Sequence, residues 1–60
     1  MYDKFRQILD ERGITPYKVA KATGITQSTF SDWKTGRSKP KVDKLVKIAE
    51  FLCVPLESII

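Results

Sequence analysis

The sequence predicts an all-α fold, a compact bundle of five short helices forming a single domain over residues 1–60. Three observations carry that expectation. Apolar residues recur at helical spacing and no stretch alternates like a half-buried strand. The tripeptide Gly-Ile-Thr occurs twice, at Gly13-Ile14-Thr15 and Gly24-Ile25-Thr26, and a third glycine, Gly36, closes the series. The chain of 60 residues has room for one core only, which removes roughly 60% of the unfolded surface from water.

The first helix is expected from about Asp3 to Arg12, with Phe5, Ile8 and Leu9 on one face at i, i+3, i+4. Gly13 suits the left-handed residue that ends a helix. Thr15 then suits an N-cap, and Pro16 stands at the first helical position, where a missing N–H does no harm. This second helix, about 15–23, turns Val19 and Ala20 inward, and the small Ala20 lets its neighbour approach closely. Gly24 ends it, and Thr26 caps a third helix of about 26–35, closed by Gly36. Each Ile precedes its cap and can staple to the fourth helical position, Ile14 to Val19 and Ile25 to Phe30. A loop with Arg37, Ser38, Lys39 and Pro40 leads to a fourth helix of about 42–52, with Val42, Leu45, Ile48, Ala49 and Leu52 on its apolar side. Pro55 opens a last short helix that returns Leu56, Ile59 and Ile60 to the core.

Two short helices back to back across a tight turn are the punctuation of a helix-turn-helix, which points to double-stranded DNA as the partner. Charge is distributed in keeping with that. The net charge is +4, and six of the 11 basic residues (Lys34, Arg37, Lys39, Lys41, Lys44 and Lys47) fall between positions 34 and 47 against one carboxylate, Asp43. Such a block can grip phosphates or form a solvated lysine-rich face.

Other functions find little support. A single cysteine forms no internal disulfide and fits a reducing cytoplasm. With one Cys and no His, a metal site and a Ser/His or Cys/His catalytic pair are not expected. The carboxylates are scattered over outer faces, so no enzyme is expected, and nothing suggests a cofactor or small-molecule ligand. No apolar run is long enough for a membrane and no signal peptide is visible.

The third helix has the more informative face. At roughly 100° per residue, Phe30 and Trp33 lie about 60° apart and mark the buried side. Ser28, Ser31 and Asp32 point away, with Gln27 at the N-terminal edge. Lys and Glu are the better helix formers, so this short polar face sacrifices propensity for donors and acceptors, and its small side chains let the helix enter a major groove. The Gln27 amide can pair with adenine N6 and N7 together, or stand as a tolerated surface residue. Ser28 and Ser31 can touch bases or phosphates. Asp32 can accept from cytosine N4 or turn toward a neighbouring lysine. Thr26 caps the helix and can also reach a phosphate or a thymine methyl. Tyr17 can pack its ring on the scaffold while its hydroxyl reaches a phosphate.

The run Thr15-Pro16-Tyr17-Lys18-Val19-Ala20, then Gly24-Ile25-Thr26-Gln27, then Phe30, Trp33 and Gly36, resembles the Cro and cI repressor family of prokaryotes and phages. Pro40, Val42, Leu45, Ile48, Ala49 and Leu52 look like that family's fourth helix, so the resemblance covers about residues 3–60. It implies a lambda-repressor-like five-helix domain, a transcriptional repressor that binds operator DNA as a weak symmetric dimer. Carried over by position, Gln27, Ser28 and Asp32 match base-contacting positions; Ser31 joins them from its place on the same polar face. Thr26, Thr35, Arg37 and Lys39 match backbone-contacting positions. Tyr17 and Lys18 abut the backbone at the start of helix two, and Lys34 and Lys41 add charge to that backbone-facing set. The alternatives are a protein-interaction module such as an antitoxin, or the DNA-binding part of a larger regulator.

The chain departs from the family pattern at several places. Pro16 replaces a frequent phosphate-binding Gln. Leu9 and Lys34 stand where some members pair Arg with Glu. Lys41 replaces the Ser or Thr cap of helix four. Cys53 stands where Gly often follows that helix, and a left-handed Cys is mildly unfavourable, so this corner is expected to be built differently.

Overall fold

The cap signals resolve into helices that begin and end where their chemistry dictates. The computed structural model describes residues 2–60, so Met1, the first residue of the expected domain, lies outside it. Four α-helices follow one another: α1 Tyr2–Arg12, α2 Pro16–Thr23, α3 Gln27–Thr35 and α4 Val42–Leu52. Thr15 and Thr26 stand outside their helices as extended caps, each hydroxyl accepting the backbone N–H three residues on, from Lys18 and from Thr29. The fifth helix is a single 3₁₀ turn, Leu56–Ser58, held by i to i+3 bonds from Ser58 N–H to Pro55 O and from Ile59 N–H to Leu56 O. Three residues after a proline are too few for an α-helical ladder.

The apolar faces meet in one core of Phe5, Leu9, Val19, Ala20, Ile25, Phe30, Trp33, Leu45, Ile48, Ala49, Leu52 and Ile59. Helix α2 packs against both α3 and α4. Helix α1 is fixed to α3 through aromatic rings. Phe5 stacks on Phe30 at 5.4 Å between centroids and lies 5.0 Å from Trp33, and Tyr2 meets Trp33 edge-on at 5.4 Å. With Leu9 buried and Lys34 exposed, no ion pair joins α1 to α3 among the described residues; this stack takes that place. Trp33 is core, as its spacing from Phe30 requires.

Two apolar residues expected inside are outside. Val42 is 67% exposed, because as the first residue of α4 it lies at the edge of the buried arc. Ile60 is 45% exposed while Ile59 is fully buried, since consecutive residues cannot share one inward direction. Both staples keep their apolar residues in or against the core, with Val19, Ile25 and Phe30 buried and Ile14 packed on them.

The corner after α4 also differs from expectation. Cys53 adopts φ 57° and ψ 42°, the left-handed geometry a glycine would take. Its N–H bonds to Glu50 O, the N–H of Val54 bonds to Ala49 O, and Val54 packs against the core. The Arg12 guanidinium also donates to the Leu52 carbonyl. The surroundings therefore impose the conformation that Cys disfavours by about 1–2 kcal/mol. Replacing Cys53 by Gly is expected to raise stability by up to about 1 kcal/mol after glycine's entropic cost. Thermal denaturation under reducing conditions should then show a midpoint higher by several degrees, about 4–8 °C per kcal/mol for so small a domain. An unchanged or lower midpoint would mean that the corner holds no strain.

Candidate nucleic-acid interface

Helix α3 turns its polar arc outward. Gln27, Ser28 and Ser31 are exposed, and Asp32 is half-buried. Gln27 is the first residue of the helix, and no hydrogen bond ties its amide among the described residues. Thr26 is committed to capping, and its hydroxyl also lies 3.0 Å from that of Thr29. The Thr35 hydroxyl donates to the Asp32 carbonyl at 3.3 Å.

Gln27 lies at the meeting of two surface notches. One, of about 390 Å³, runs between α2 and the start of α3 and is lined by Tyr17, Ala20, Lys21, Gly24, Ile25, Thr26 and Gln27. The other, of about 170 Å³, brings Tyr2, Arg6 and Pro16 beside Gln27, Phe30, Ser31 and Lys34. The structure thus gathers Tyr17, Thr26 and Gln27 around the head of α3, and Ser31 and Lys34 follow Gln27 along the helix to its last turn. Lys18 is exposed on α2 and lines neither notch. Lys39 lines a separate cleft with Tyr2, Trp33, Gly36 and Ser38.

Two cations at this face were absent from the residues singled out in the sequence. The Lys21 ammonium sits 5.8 Å from the centroid of the Tyr17 ring. The i, i+4 spacing of the pair is the signal that could have found it. Arg6 reaches the face because α1 packs on α3, and nothing local in the sequence says so. It is also paired with Asp10 at 3.2 Å, one turn along α1.

Beyond α3 the chain stays basic and exposed through Arg37, Lys39 and Lys41. Gly36 at φ 80° turns the backbone back over the helix end, which points Arg37 and Ser38 N–H groups at the Asp32 carbonyl, at 2.9 and 3.3 Å. Lys41 is the N-cap of α4 and provides no side-chain cap, because an ammonium has no acceptor. Its charge and the first-turn amides of α4 are left for solvent or an anion. Asp32 faces Arg37, at 4.0 Å between Oδ1 and Nε, and not a lysine.

A compact helical domain with a capped helix-turn-helix, a polar arc on the second helix and a basic loop after it defines a DNA-binding-type module. The sequence pattern described as Helix-turn-helix matches residues 5–59, and the chain belongs to that family, of the Cro and cI type. It is 43% identical over 42 residues to an uncharacterized HTH-type transcriptional regulator of Haemophilus influenzae, covering 70% of this chain and 18% of the relative. It is 33% identical over 51 residues to an HTH-type transcriptional regulatory protein of Methanocaldococcus jannaschii, covering 85% of this chain and 16% of the relative. It is 28% identical over 57 residues to the cryptic phage CTXphi transcriptional repressor RstR of Vibrio cholerae, covering 95% and 51%. The chain therefore spans about half or less of the length of these relatives. No solved structure matches it at comparable stringency. No described helix is long and apolar enough to cross a membrane.

Proposed function

We propose that this domain binds double-stranded DNA sequence-specifically, laying α3 in the major groove, and acts as a transcriptional regulator, a repressor, on a palindromic operator. The observation that carries the reading is the exposed, uncommitted Gln27 amide at the head of α3, flanked on both sides by cations. An α-helix fits a major groove about 12 Å wide, and small side chains such as Ser28 and Ser31 let it approach the base edges. Gln27 reads adenine through N6 and N7 in this account. Tyr17, Lys18, Thr26, Lys34, Thr35, Arg37, Lys39 and Lys41 hold the two phosphate backbones, which set register without reading sequence.

Two copies are needed for useful specificity, with half-sites about one helical turn, roughly 34 Å, apart. Their contact is assigned to the last turn of the chain and the start of α4. There Pro40, Val42, Leu45 and Ile60, edged by Lys39 and Lys41, line a trough of about 700 Å³, with Val42 67% and Ile60 45% exposed. The same trough favours a second reading, a module that docks another protein and uses DNA secondarily.

Selection of bound duplexes from a random-sequence pool at physiological salt separates these readings. Enrichment of a two-half-site palindrome is the expected result. Retention without enrichment would leave a non-specific basic surface and give the docking reading precedence. Replacing Lys39 by Ala should weaken binding to all duplexes alike and reduce the salt slope by about one unit. A loss confined to one sequence would remove Lys39 from the backbone-contacting set.

A further inference from the structure

Three helices end in the same hydrogen-bonded turn, and one of them carries a different pair of side chains. In α1, the N–H of Ile14 bonds to Leu9 O at 2.9 Å and that of Gly13 to Asp10 O at 3.3 Å. In α4, the N–H of Val54 bonds to Ala49 O at 3.1 Å and that of Cys53 to Glu50 O at 3.2 Å. In α3, the N–H of Arg37 bonds to Asp32 O at 2.9 Å and that of Gly36 to Trp33 O at 3.3 Å. This turn folds the second residue past the helix over the residue three from its end, where an apolar contact normally accompanies it. Leu9 with Ile14 and Ala49 with Val54 conform. At the end of α3 the pair is Asp32 with Arg37, an ion pair with Oδ1 and Nε 4.0 Å apart.

The backbone bonds thus keep Asp32 and Arg37 adjacent whatever their side chains do. The pair is also open to exchange. The Arg37 side chain is 80% exposed and that of Asp32 is 39% exposed, so solvent weakens the attraction. Asp32 lies one turn after Ser28 on the same strip of α3, and Arg37 stands at the start of the basic loop. In the major groove a carboxylate can only accept, and the only base donors are the amino groups of cytosine N4 and adenine N6. Adenine sets its own N7 acceptor beside N6, which repels a carboxylate; cytosine's own edge carries no acceptor beside N4 in the major groove.

We infer that Asp32 and Arg37 form a sequence-gated phosphate contact. On a duplex that presents cytosine N4 to α3, Asp32 takes that donor and Arg37 passes to a backbone phosphate. On any other duplex the pair stays closed, and one cation is withheld from the backbone. Asp32 then determines specificity through two charges at once, and it suppresses non-specific binding in the absence of the right base. This rests on the DNA-binding reading above.

The experiment measures affinity against salt between 50 and 200 mM on the duplex recovered by selection and on a scrambled duplex of equal length. It uses the wild-type chain, Asp32→Asn and Arg37→Gln. In the wild type the slope should be steeper on the selected duplex by about 0.9, an additional loss of roughly 3-fold over that range. Asp32→Asn should tighten binding to the scrambled duplex by roughly 3-fold or more at low salt, make the two slopes equal at the steeper value, and erase a cytosine preference at one base pair. Arg37→Gln should make them equal at the shallower value. The inference is overturned if the wild-type slopes are equal. It is overturned equally if Asp32→Asn tightens both duplexes alike and leaves their slope difference intact, the mark of simple long-range repulsion. A wild-type chain that binds neither duplex overturns the DNA-binding reading itself.

Discussion

Replacing Gln27 by alanine is expected to flatten the preference for one base pair and to leave the others untouched. The cost on the preferred duplex should be roughly 1–3 kcal/mol, or about 5- to 150-fold in affinity. The size follows from the chemistry of the amide. A bidentate pair with adenine supplies a donor and an acceptor in one plane, and a wrong base meets both with the wrong polarity. Nothing in the folded domain should change, because Gln27 is exposed and its amide makes no intramolecular hydrogen bond among the described residues. Alanine is the better helix former, so melting should be unaltered or slightly raised. The check is binding to a panel of duplexes that differ one position at a time. A uniform loss over the whole panel would reassign Gln27 to the backbone, and no loss would leave the base reading to other residues.

Much of this site was legible because its signals are local. A Thr that accepts from the N–H three residues on, a Pro at the first helical position and a Gly that turns left-handed are properties of neighbouring residues. They place Gln27 at the head of α3 and Phe30 and Trp33 on its buried side without knowledge of the rest of the chain. The misreadings fall where tertiary context decides. Val42 and Ile60 are apolar at the ends of apolar patterns, and only the assembled core determines that the terminal residue of such a pattern is left outside. Cys53 is left-handed because Val54 and Arg12 hold the corner, against its own preference. Arg6 joins the face through the packing of α1 on α3. Asp32 shows the same limit from another side. Its place on the polar arc was legible, whereas its engagement with Arg37 depends on the way the chain folds back after Gly36.

The largest loss of stability is expected from Phe5→Ala. Phe5 is fully buried, and its ring touches three others: Phe30 stacked at 5.4 Å, Trp33 at 5.0 Å and Tyr2 at 5.7 Å. Truncating a buried Phe costs about 3–5 kcal/mol, because the cavity left behind collapses only in part. In a chain of 60 residues a single core rarely supplies more than about 3–5 kcal/mol of net stability. The variant should therefore be mostly or wholly unfolded at 37 °C, and Phe5→Leu, which fills more of the space, should fall between. The site would go with it, since α1 backs α3 through these rings. DNA binding should weaken alike on all duplexes, in contrast to the base-pair-selective loss at Gln27. Saturating duplex should restore part of the melting temperature, because a ligand that binds only the folded state shifts the equilibrium toward it by mass action. The chain has one tryptophan, Trp33, in contact with the ring removed, so its fluorescence reports this packing directly on thermal or urea denaturation. A midpoint lowered by only a few degrees would mean that α3 is held by α2 and α4 alone, and that the aromatic stack is not what fixes α1 beneath α3.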